Sequence, residues 1–318
     1  MDILQKERKI RELEAKIDEL DNVELINKLR EEIINYKNEA MTNLSAWDRV
    51  LLARHQSRPR ASEYIDYIFD DFIEFHGDRL FSDDKAIIGG IGILNGLSVT
   101  IVAQEKGTTL ESNMERNFAM PHPEGYRKAL RLMKQAEKFR RPIITFIDTP
   151  GAFPGLAAEE RGQGEAIARN LLEMSSFTVP VIAIVIGEGG SGGALALGVA
   201  NTVLMMENSI YSILSPEGYA TILWKDSSRA AEAATVMKLT SYDLEEIKII
   251  DRIIPEPIGG AHFNKEETFM NAKEVIVEEL INLIKFDASD LREHRIDKYR
   301  QFGFFQRFNY DNLGGVKR

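Results

Sequence analysis

One apolar run that breaks abruptly into glycines constrains the fold more than any other part of this 318-residue sequence. The run covers residues 181–186 and is continuously hydrophobic and largely β-branched, which is typical of a strand covered on both faces. Five glycines follow between residues 187 and 193, around Glu188 and Ser191. Helix-forming residues come next, at 194–197. The stretch therefore predicts a buried strand and a glycine loop that leads into the N-terminus of a helix.

Helix N-termini carry unpaired backbone N–H groups, so we expect an anion-binding loop at this position. The glycines at 187–192 satisfy the dinucleotide pattern G-x-G-x-x-G, and Glu207 lies at the spacing of a ribose-binding acid. Residues 189–193 equally satisfy the nucleophile-elbow pattern G-x-S-x-G, with Ser191 as nucleophile. Close packing of the helix on the strand, without a ligand, is a third interpretation.

A second apolar run, at residues 143–147, also ends in a glycine-containing loop. Asp148 and Thr149 close the run, and the sequence PGAFPG follows at 150–155. Glu159 and Glu160 are expected in the first turn of the next helix, where acidic side chains interact favourably with the helix dipole. The repeated order of strand, glycine loop and helix predicts two sites that stabilise negative charge on oxygen. Such sites suit enolate chemistry better than hydride transfer.

The N-terminal region carries two apolar stripes at helical spacing, interrupted at Asp21 and Asn22. Asn22 can cap a second helix, so residues 1–44 are predicted to form a helical hairpin. The sequence leaves open whether this hairpin packs on the chain's own body or on another subunit. Further along, apolar residues from Tyr64 to Phe72 are spaced as one helix face that ends near Gly77.

Several other elements follow from local signals. Apolar runs at 86–94 and 98–103 flank Asn95-Gly96, which predicts a β-hairpin. Short strands are predicted at 202–206, 210–214 and 249–254, and a helix capped by Ser215 with Pro216 at its first position. From Lys265 the chain is expected to be helical. It ends in an aromatic tail, expected to be a core lid or a partner contact: Tyr299, Phe302, Phe304, Phe305 and Phe308.

A helix predicted at 124–139 carries a basic stripe beside its apolar face. The stripe consists of Arg127, Arg131, Lys134 and Lys138, at 4-3-4 spacing. Such a stripe is either a solvated surface or a site that attracts phosphate or another anionic substrate.

Composition excludes several classes of function. The sequence has no cysteine, which excludes disulfides, thiolate catalysis and cysteine-based zinc sites. The five histidines are scattered, so no metal site is expected in this chain. A net charge of −10 argues against nucleic acid as a ligand. Neither a membrane-spanning run nor a secretory leader is indicated, so a cytoplasmic location is expected.

Four motifs in register carry a family resemblance: DTPGAFPG at 148–155, AEERGQGEAIARN at 158–170, GEGGSGGALALG at 187–198 and SPEGYATILWKD at 215–226. RNFAMPHPEGYRKALRLM at 116–133 and IIPEPIGGAH at 253–262 extend it. Over about residues 45–265 the sequence resembles the carboxyltransferase α subunits of bacterial-type acetyl-CoA carboxylases.

The resemblance implies an α/β fold of the ClpP/crotonase class, built of repeated ββα units. It implies a carboxyltransferase domain at 45–265 between the helical hairpin at 1–44 and a helical C-terminal extension at 266–318. The implied reaction transfers the carboxyl group of N-carboxybiotin to acetyl-CoA and gives malonyl-CoA for fatty acid biosynthesis. In this family CO2 release is thought to leave the biotin able to deprotonate the thioester methyl, so no protein base is strictly needed.

The resemblance also implies partners and site residues. A β subunit with a four-cysteine zinc ribbon would complete an α2β2 enzyme, and biotin would be attached to a carrier protein that a biotin carboxylase loads. The backbone N–H groups of Gly192 and Gly193 would form the oxyanion hole for the biotin ureido oxygen. Four further residues are our own candidates, which the resemblance does not supply: Gly151 and Ala152 as a second wall, and Arg127 and Arg131 of the basic stripe as substrate-binding cations.

Three other functions stay open at this point. A serine hydrolase would use Ser191, Asp251 and His262, which occur in the chain order of α/β-hydrolases. A non-catalytic scaffold subunit would need the glycine segments only for packing. A dehydrogenase would bind a nicotinamide cofactor at the first glycine segment.

Overall fold

The computed structural model describes residues 3–18, 20 and 22–303. Within these residues, one mixed eight-stranded sheet lies at the centre. Its strands are β1 (Asp70–Glu74), β2 (Ile87–Leu94), β3 (Leu97–Gln104), β4 (Ile143–Thr149), β5 (Val181–Gly190), β6 (Thr202–Met206), β7 (Ile210–Ser212) and β8 (Arg252–Ile254). The helices are α1 (Ile3–Asp18), α2 (Val23–Met41), α3 (Ala46–Ala53), α4 (Ala61–Ile68), α5 (Leu110–Glu115), α6 (Pro123–Phe139), α7 (Leu156–Glu160), α8 (Gln163–Ser176), α9 (Ser191–Leu195), α10 (Pro216–Trp224), α11 (Ala230–Met237), α12 (Ser241–Glu246), α13 (Lys265–Leu283) and α14 (Ala288–Arg300).

The sheet changes from antiparallel to parallel pairing at β3. Its order is β1-β2-β3-β4-β5-β6-β8, and β7 pairs with the end of β5. Strands β1, β2 and β3 pair antiparallel, whereas β3 to β6 and β8 pair parallel. The β2–β3 turn lies at Asn95 and Gly96, whose φ values of 48° and 80° suit a two-residue hairpin turn. The predicted hairpin is therefore confirmed.

Strand β5 is covered on both faces, as its continuous apolar run predicts. Ile182, Ile184 and Ile186 pack into the core on the side of α4 and α13. The alternate residues Val181, Ala183 and Val185 pack into the core on the side of α6 and α8. Helices thus cover both faces of the parallel strands, which is the usual arrangement for a parallel sheet.

The predicted loop after this strand is wrong in one respect. Strand β5 continues through the first glycines to Gly190, because residues 188–190 pair with β7. Helix α9 then begins directly at Ser191, so no separate loop joins the strand to the helix. Ser191 makes the change of direction with a φ of 52°.

Three element boundaries also differ from expectation. The helix predicted over Tyr64 to Phe72 ends at Ile68, because the following residues pair with β2 as strand β1. The helix after the second glycine segment is short: α7 has Glu159 in its first turn, as predicted, but ends at Glu160, and α8 begins only after Gly162, whose φ is 85°. The strand predicted at 210–214 ends at Ser212.

The N-terminal hairpin is confirmed as two helices that lie on the chain's own body. The Asn22 side chain caps α2 by accepting hydrogen bonds from the N–H groups of Glu24 and Leu25, at 3.0 and 3.2 Å. The N–H of Ile3 donates to Asp48 of α3 at 2.9 Å, and Ile3 is buried. Some apolar side chains of α2, such as Val23, remain exposed in the isolated chain.

The C-terminal region is helical from Lys265, as predicted. Tyr299 of α14 donates a hydrogen bond to Gly198 O at 2.9 Å, which brings this helix to the segment after α9. Phe304, Phe305 and Phe308 of the aromatic tail lie outside the described residues. Among the helices described here, none combines the length and the apolar character needed to cross a membrane. The proposed division at residues 44 and 265 stays a prediction.

Candidate active site

The two glycine segments meet at the carboxyl ends of β4 and β5, where ligands commonly bind in α/β sheets. Between them lies a cavity of about 690 Å³. Its lining includes four of the predicted site residues together with the serine of the motif: Gly151, Ala152, Gly192, Gly193 and Ser191. The structure thus brings together two segments that are separate in the sequence.

Glycine is required where the two segments touch. A Cβ atom on Gly193 would lie 2.6 Å from Ala152 N, and one on Gly190 would lie 2.2 Å from Pro150 O. Such contacts are too close for any side chain, so the main chains meet only because both positions are glycine. Gly192 differs, because a Cβ there would meet nothing nearer than Ile167, at 3.8 Å. Its missing side chain leaves room on the cavity side.

The backbone N–H groups at the start of α9 receive no side-chain cap. Residues 191–193 follow a strand, so no preceding helical turn offers them a carbonyl acceptor. Gly190, at the N-cap position, has no side chain that could accept from them. Backbone donors fixed in this way can stabilise an oxyanion without reorganising.

Two buried amide side chains hold the main chain of both segments. Gln104, the last residue of β3, donates from Nε2 to Gly193 O at 2.7 Å. Gln163, the first residue of α8, donates from Nε2 to Phe153 O and to Pro121 O, both at 2.9 Å. Both glutamines are almost fully buried. These contacts fix the peptide units that form the walls of the cavity.

A network of charged side chains lies under and beside the cavity. Asp148 accepts a hydrogen bond from Glu188 N at 2.9 Å and pairs with Lys106 at 2.5 Å. Arg54 donates to Glu188 at 2.7 Å and to Glu217 at 2.8 Å. Each carboxylate has a cationic partner, so the network holds the end of β5 in place.

The pKa values of this network follow from its pairing. Burial lowers the pKa of Arg54, but the carboxylates of Glu188 and Glu217 outweigh burial and raise it. Burial raises the pKa of Glu217, but its own backbone N–H and the Arg54 guanidinium outweigh burial and lower it. Both groups therefore stay charged at neutral pH. Neither Arg54 nor Glu217 is therefore suited to act as a general acid or base near neutral pH.

The two predicted arginines lie away from the cavity lining. Arg127 donates to Asp78 at 2.8 Å and to Arg161 O at 3.0 Å. Arg131 donates to Gly77 O at 3.1 Å. Both arginines therefore clamp the loop that precedes β2. Their role in substrate binding stays a prediction. It would require each guanidinium group to bind substrate while it also holds this loop.

The structure does not assemble the residues of a serine hydrolase. Asp251 accepts a hydrogen bond from Val203 N at 2.6 Å and pairs with Lys298. His262 stacks on His55, with ring centroids 4.0 Å apart. Neither side chain lines the cavity that contains Ser191.

The structure also separates Glu207, the acidic residue of the dinucleotide interpretation, from the glycine cavity. Glu207 accepts hydrogen bonds from the Tyr242 hydroxyl at 2.8 Å and from Glu256 N at 3.1 Å. It does not line the glycine cavity. The glycine pattern and the acid are therefore not combined in one ribose-binding site.

Sequence reasoning missed Gln104 and Arg54 as parts of the site. Gln104 ends a predicted strand and has no motif around it. Arg54 opens the arginine-rich segment at 54–60, which was a usable signal, but nothing in the sequence connects it with Glu188.

Solved structures identify the class of fold to which this arrangement belongs. A transcarboxylase 12S structure with methylmalonyl-coenzyme A and methylmalonic acid bound superposes with a TM-score of 0.57 at 20% identity, covering 70% of this chain and 41% of that chain. This chain therefore spans about two fifths of the transcarboxylase chain. A Pseudomonas malonate decarboxylase hetero-tetramer in complex with coenzyme A has a TM-score of 0.55 at 15% identity, covering 67% of this chain and 85% of that chain. These likenesses confirm the expected crotonase-like α/β fold.

Sequence comparison then identifies the family. The chain belongs to the acetyl co-enzyme A carboxylase carboxyltransferase-like family, whose sequence model matches residues 2–303. The acetyl-coenzyme A carboxylase carboxyl transferase subunit alpha of Staphylococcus haemolyticus (strain JCSC1435) is 61% identical over 264 residues, which are 83% of this chain and 84% of that protein. The protein of the same name from Geobacillus sp. (strain WCH70) is 53% identical, and the alignment covers 98% of each chain.

Proposed function

We propose that this chain is the α subunit of the carboxyltransferase component of an acetyl-CoA carboxylase. In this role it transfers the carboxyl group of N-carboxybiotin to acetyl-CoA and yields malonyl-CoA for fatty acid biosynthesis. The observation that carries the proposal is the cavity at the ends of β4 and β5, whose lining includes both Gly192 and Gly193 and the second glycine segment at Gly151 and Ala152. Membership of the family, at 53% identity over nearly the whole chain, supports it.

The proposed chemistry uses the main chain of this subunit. The N–H groups of Gly192 and Gly193 hold the ureido oxygen of biotin and stabilise the negative charge that develops there. Gly151 and Ala152 form the opposite wall and limit how the ring can lie. Biotin would supply the carboxyl group as CO2 and, before that CO2 joins acetyl-CoA, the basic nitrogen that takes the proton of the thioester methyl. The cavity of about 690 Å³ is in the range of small-molecule sites.

The rest of the assembly is part of the same proposal. A β subunit supplies the second oxyanion site, for the thioester enolate, and carries the zinc ribbon of the family. Biotin arrives on a carrier protein, and a biotin carboxylase loads it. The expected cytoplasmic location stays a prediction.

The decisive experiment measures malonyl-CoA decarboxylation with biocytin as the biotin substrate. The purified chain alone should be inactive, since one oxyanion site lies on another polypeptide, and adding the β subunit should restore activity. Gel filtration of the mixture distinguishes failed assembly from failed catalysis. Full activity of the chain alone, or an assembled but inactive mixture, would contradict the proposal.

A further inference from the structure

A cluster of one carboxylate and two imidazoles lies outside the glycine cavity, and the proposed function does not use it. Glu7 comes from α1, His55 follows the end of α3, and His262 precedes α13. One potential ligand atom from each residue lies within 4.8 Å of the others. We propose that these three side chains bind a Zn²⁺ ion that ties the N-terminal hairpin to the body of the protein.

The spacing of the ligand atoms suits such an ion. Glu7 Oε1 lies 3.0 Å from His262 Nε2, and Glu7 Oε2 lies 3.2 Å from His55 Nε2. With zinc–ligand bonds of about 2.0–2.2 Å, neighbouring ligand atoms are roughly 3–3.5 Å apart. Each ring thus presents its Nε2 to one oxygen of the same carboxylate, and a rotation of one ring would let both nitrogens reach a single ion.

The cluster is buried and its hydrogen bonding is incomplete. The exposed side-chain fractions are 3% for Glu7, 4% for His262 and 11% for His55. Glu7 Oε1 and both ring nitrogens of His262 have no hydrogen-bond partner of acceptable geometry among the described residues. Buried polar atoms are normally satisfied, so this cluster calls for a further partner. A central cation would satisfy Glu7 Oε1 and His262 Nε2 together.

Among the described residues, one charged side chain besides the two imidazoles contacts the Glu7 carboxylate. It is Arg11, at 3.9 Å, and its side chain is 60% exposed. It can therefore turn into solvent when a cation enters.

Binding requires a change at His55. Without metal, the N–H of Ser57 donates to His55 Nδ1 at 3.2 Å, so the ring carries its proton on Nε2, facing Glu7. Zn²⁺ binding at Nε2 displaces this proton, which moves to Nδ1 at the expense of the bond from Ser57.

The ligand set favours zinc over the common alkaline-earth ions. Two imidazole nitrogens with one carboxylate form a known zinc-binding combination. Mg²⁺ and Ca²⁺ prefer shells made of oxygen ligands. The histidines are scattered in the sequence, so only the fold brings two of them, His55 and His262, to Glu7.

The test uses the full-length chain, stripped of metal by a chelator and dialysed against Zn²⁺. We expect one Zn²⁺ per chain by elemental analysis, and a Tm that rises with Zn²⁺ but not with Mg²⁺. His262→Gln and Glu7→Gln should weaken binding on the order of 10²-fold or more, because losing an outer-shell partner alone costs about 10–100-fold. His76→Gln is the matched control: His76 also lies near two carboxylates, Asp83 at 3.2 Å and Glu74 at 3.7 Å, but its side chain is 64% exposed.

Several outcomes would overturn the proposal. Absence of stoichiometric zinc, or equal binding by the wild type and His262→Gln, would leave a hydrogen-bonded acid–imidazole cluster without a metal. Hydrogen exchange of the wild-type chain gives an answer even where the variants do not fold. Zn²⁺ should increase amide protection in α1, residues 3–18, and unchanged protection would overturn the proposal.

Discussion

At the scale of single residues, two neighbouring glycines differ in what an added methyl group would meet. Gly193→Ala places Cβ 2.6 Å from Ala152 N, whereas Gly192→Ala makes only an ordinary contact at 3.8 Å. We expect Gly193→Ala to push the two walls of the cavity apart and to lower kcat on the order of 10²-fold, as misplacements of about 1 Å do. Gly192→Ala should stay within a few fold of wild type.

The measurement for this pair is malonyl-CoA decarboxylation with the β subunit, with a thermal melt to confirm folding. Both variants carry the same chemical change one residue apart, so each serves as the control for the other. Equal losses in both, or full activity in Gly193→Ala, would contradict the role assigned to this contact.

At the scale of secondary structure elements, β3 supports α9 through a single amide. Gln104→Met keeps the side-chain volume but removes the donor to Gly193 O. Loss of a buried hydrogen bond costs about 1–1.5 kcal/mol, so kcat should fall roughly tenfold if the peptide of Gly193 shifts. Thr145→Val is the matched control. It removes a buried hydrogen bond of 2.8 Å from the Thr145 hydroxyl to Leu197 O, which follows α9 in the chain. Thr145→Val should lower Tm and leave kcat unchanged. If Thr145→Val and Gln104→Met lowered kcat equally, the positioning role of Gln104 would be refuted.

The basic stripe of α6 divides into two kinds of cation. Arg127 is paired with Asp78, whereas Lys134 is half exposed and contacts only Glu173 among the described charged residues, at 2.7 Å. If the stripe attracts an anionic substrate, the double variant Lys134→Gln/Lys138→Gln should raise KM and flatten its salt dependence, because exposed charges are screened within about 8–10 Å at physiological salt. Arg127→Gln should lower Tm instead. An unchanged KM in the double variant would mean that the stripe is a solvated surface and does not attract the substrate.

At the scale of the whole molecule, one buried ion pair joins segments from both ends of the chain. Arg58 donates to Glu256 at 2.5 Å and to Ile186 O at 2.6 Å, just before the first glycine of the site. Glu256 also accepts from Asn208 N at 3.1 Å. Burial raises the pKa of Glu256, but Arg58 and Asn208 outweigh burial and lower it below its ordinary value of 4.5.

The sign of this shift predicts sensitivity to acid. A carboxylate with a lowered pKa in the folded state stabilises the fold above its unfolded pKa of 4.5, and this contribution is lost as the pH falls through the folded value. Glu256→Gln should cost about 3–5 kcal/mol in the free energy of unfolding at pH 7, because it leaves Arg58 buried without a counter-charge. Urea unfolding from pH 7 to well below pH 4.5 measures both effects. An unchanged acid dependence in the variant would contradict this role of Glu256.

Local sequence signals predicted many of the secondary structure elements, but they could not predict contacts between residues far apart in the chain. The apolar run of β5, the Asn95-Gly96 turn and the Asn22 cap depend on neighbours in the sequence, so the elements followed from them. Strand β1 was missed because the apolar spacing up to Phe72 also suits a helix, and only pairing with β2 distinguishes the two. The Gln104 contact joins residues whose proximity depends on the whole sheet, and no local pattern contains it.

The abrupt junction of β5 and α9 has a consequence for inhibitors. A ligand that binds through the N–H groups of Gly192 and Gly193 contacts main chain, so its recognition depends little on side chains that mutation can exchange. A side chain at Gly193 would collide with Ala152 N, at 2.6 Å. Resistance to such a compound would therefore have to arise elsewhere in the lining: at Gly192, where an added Cβ would meet nothing nearer than 3.8 Å, or at side chains such as Ile213 and Leu214.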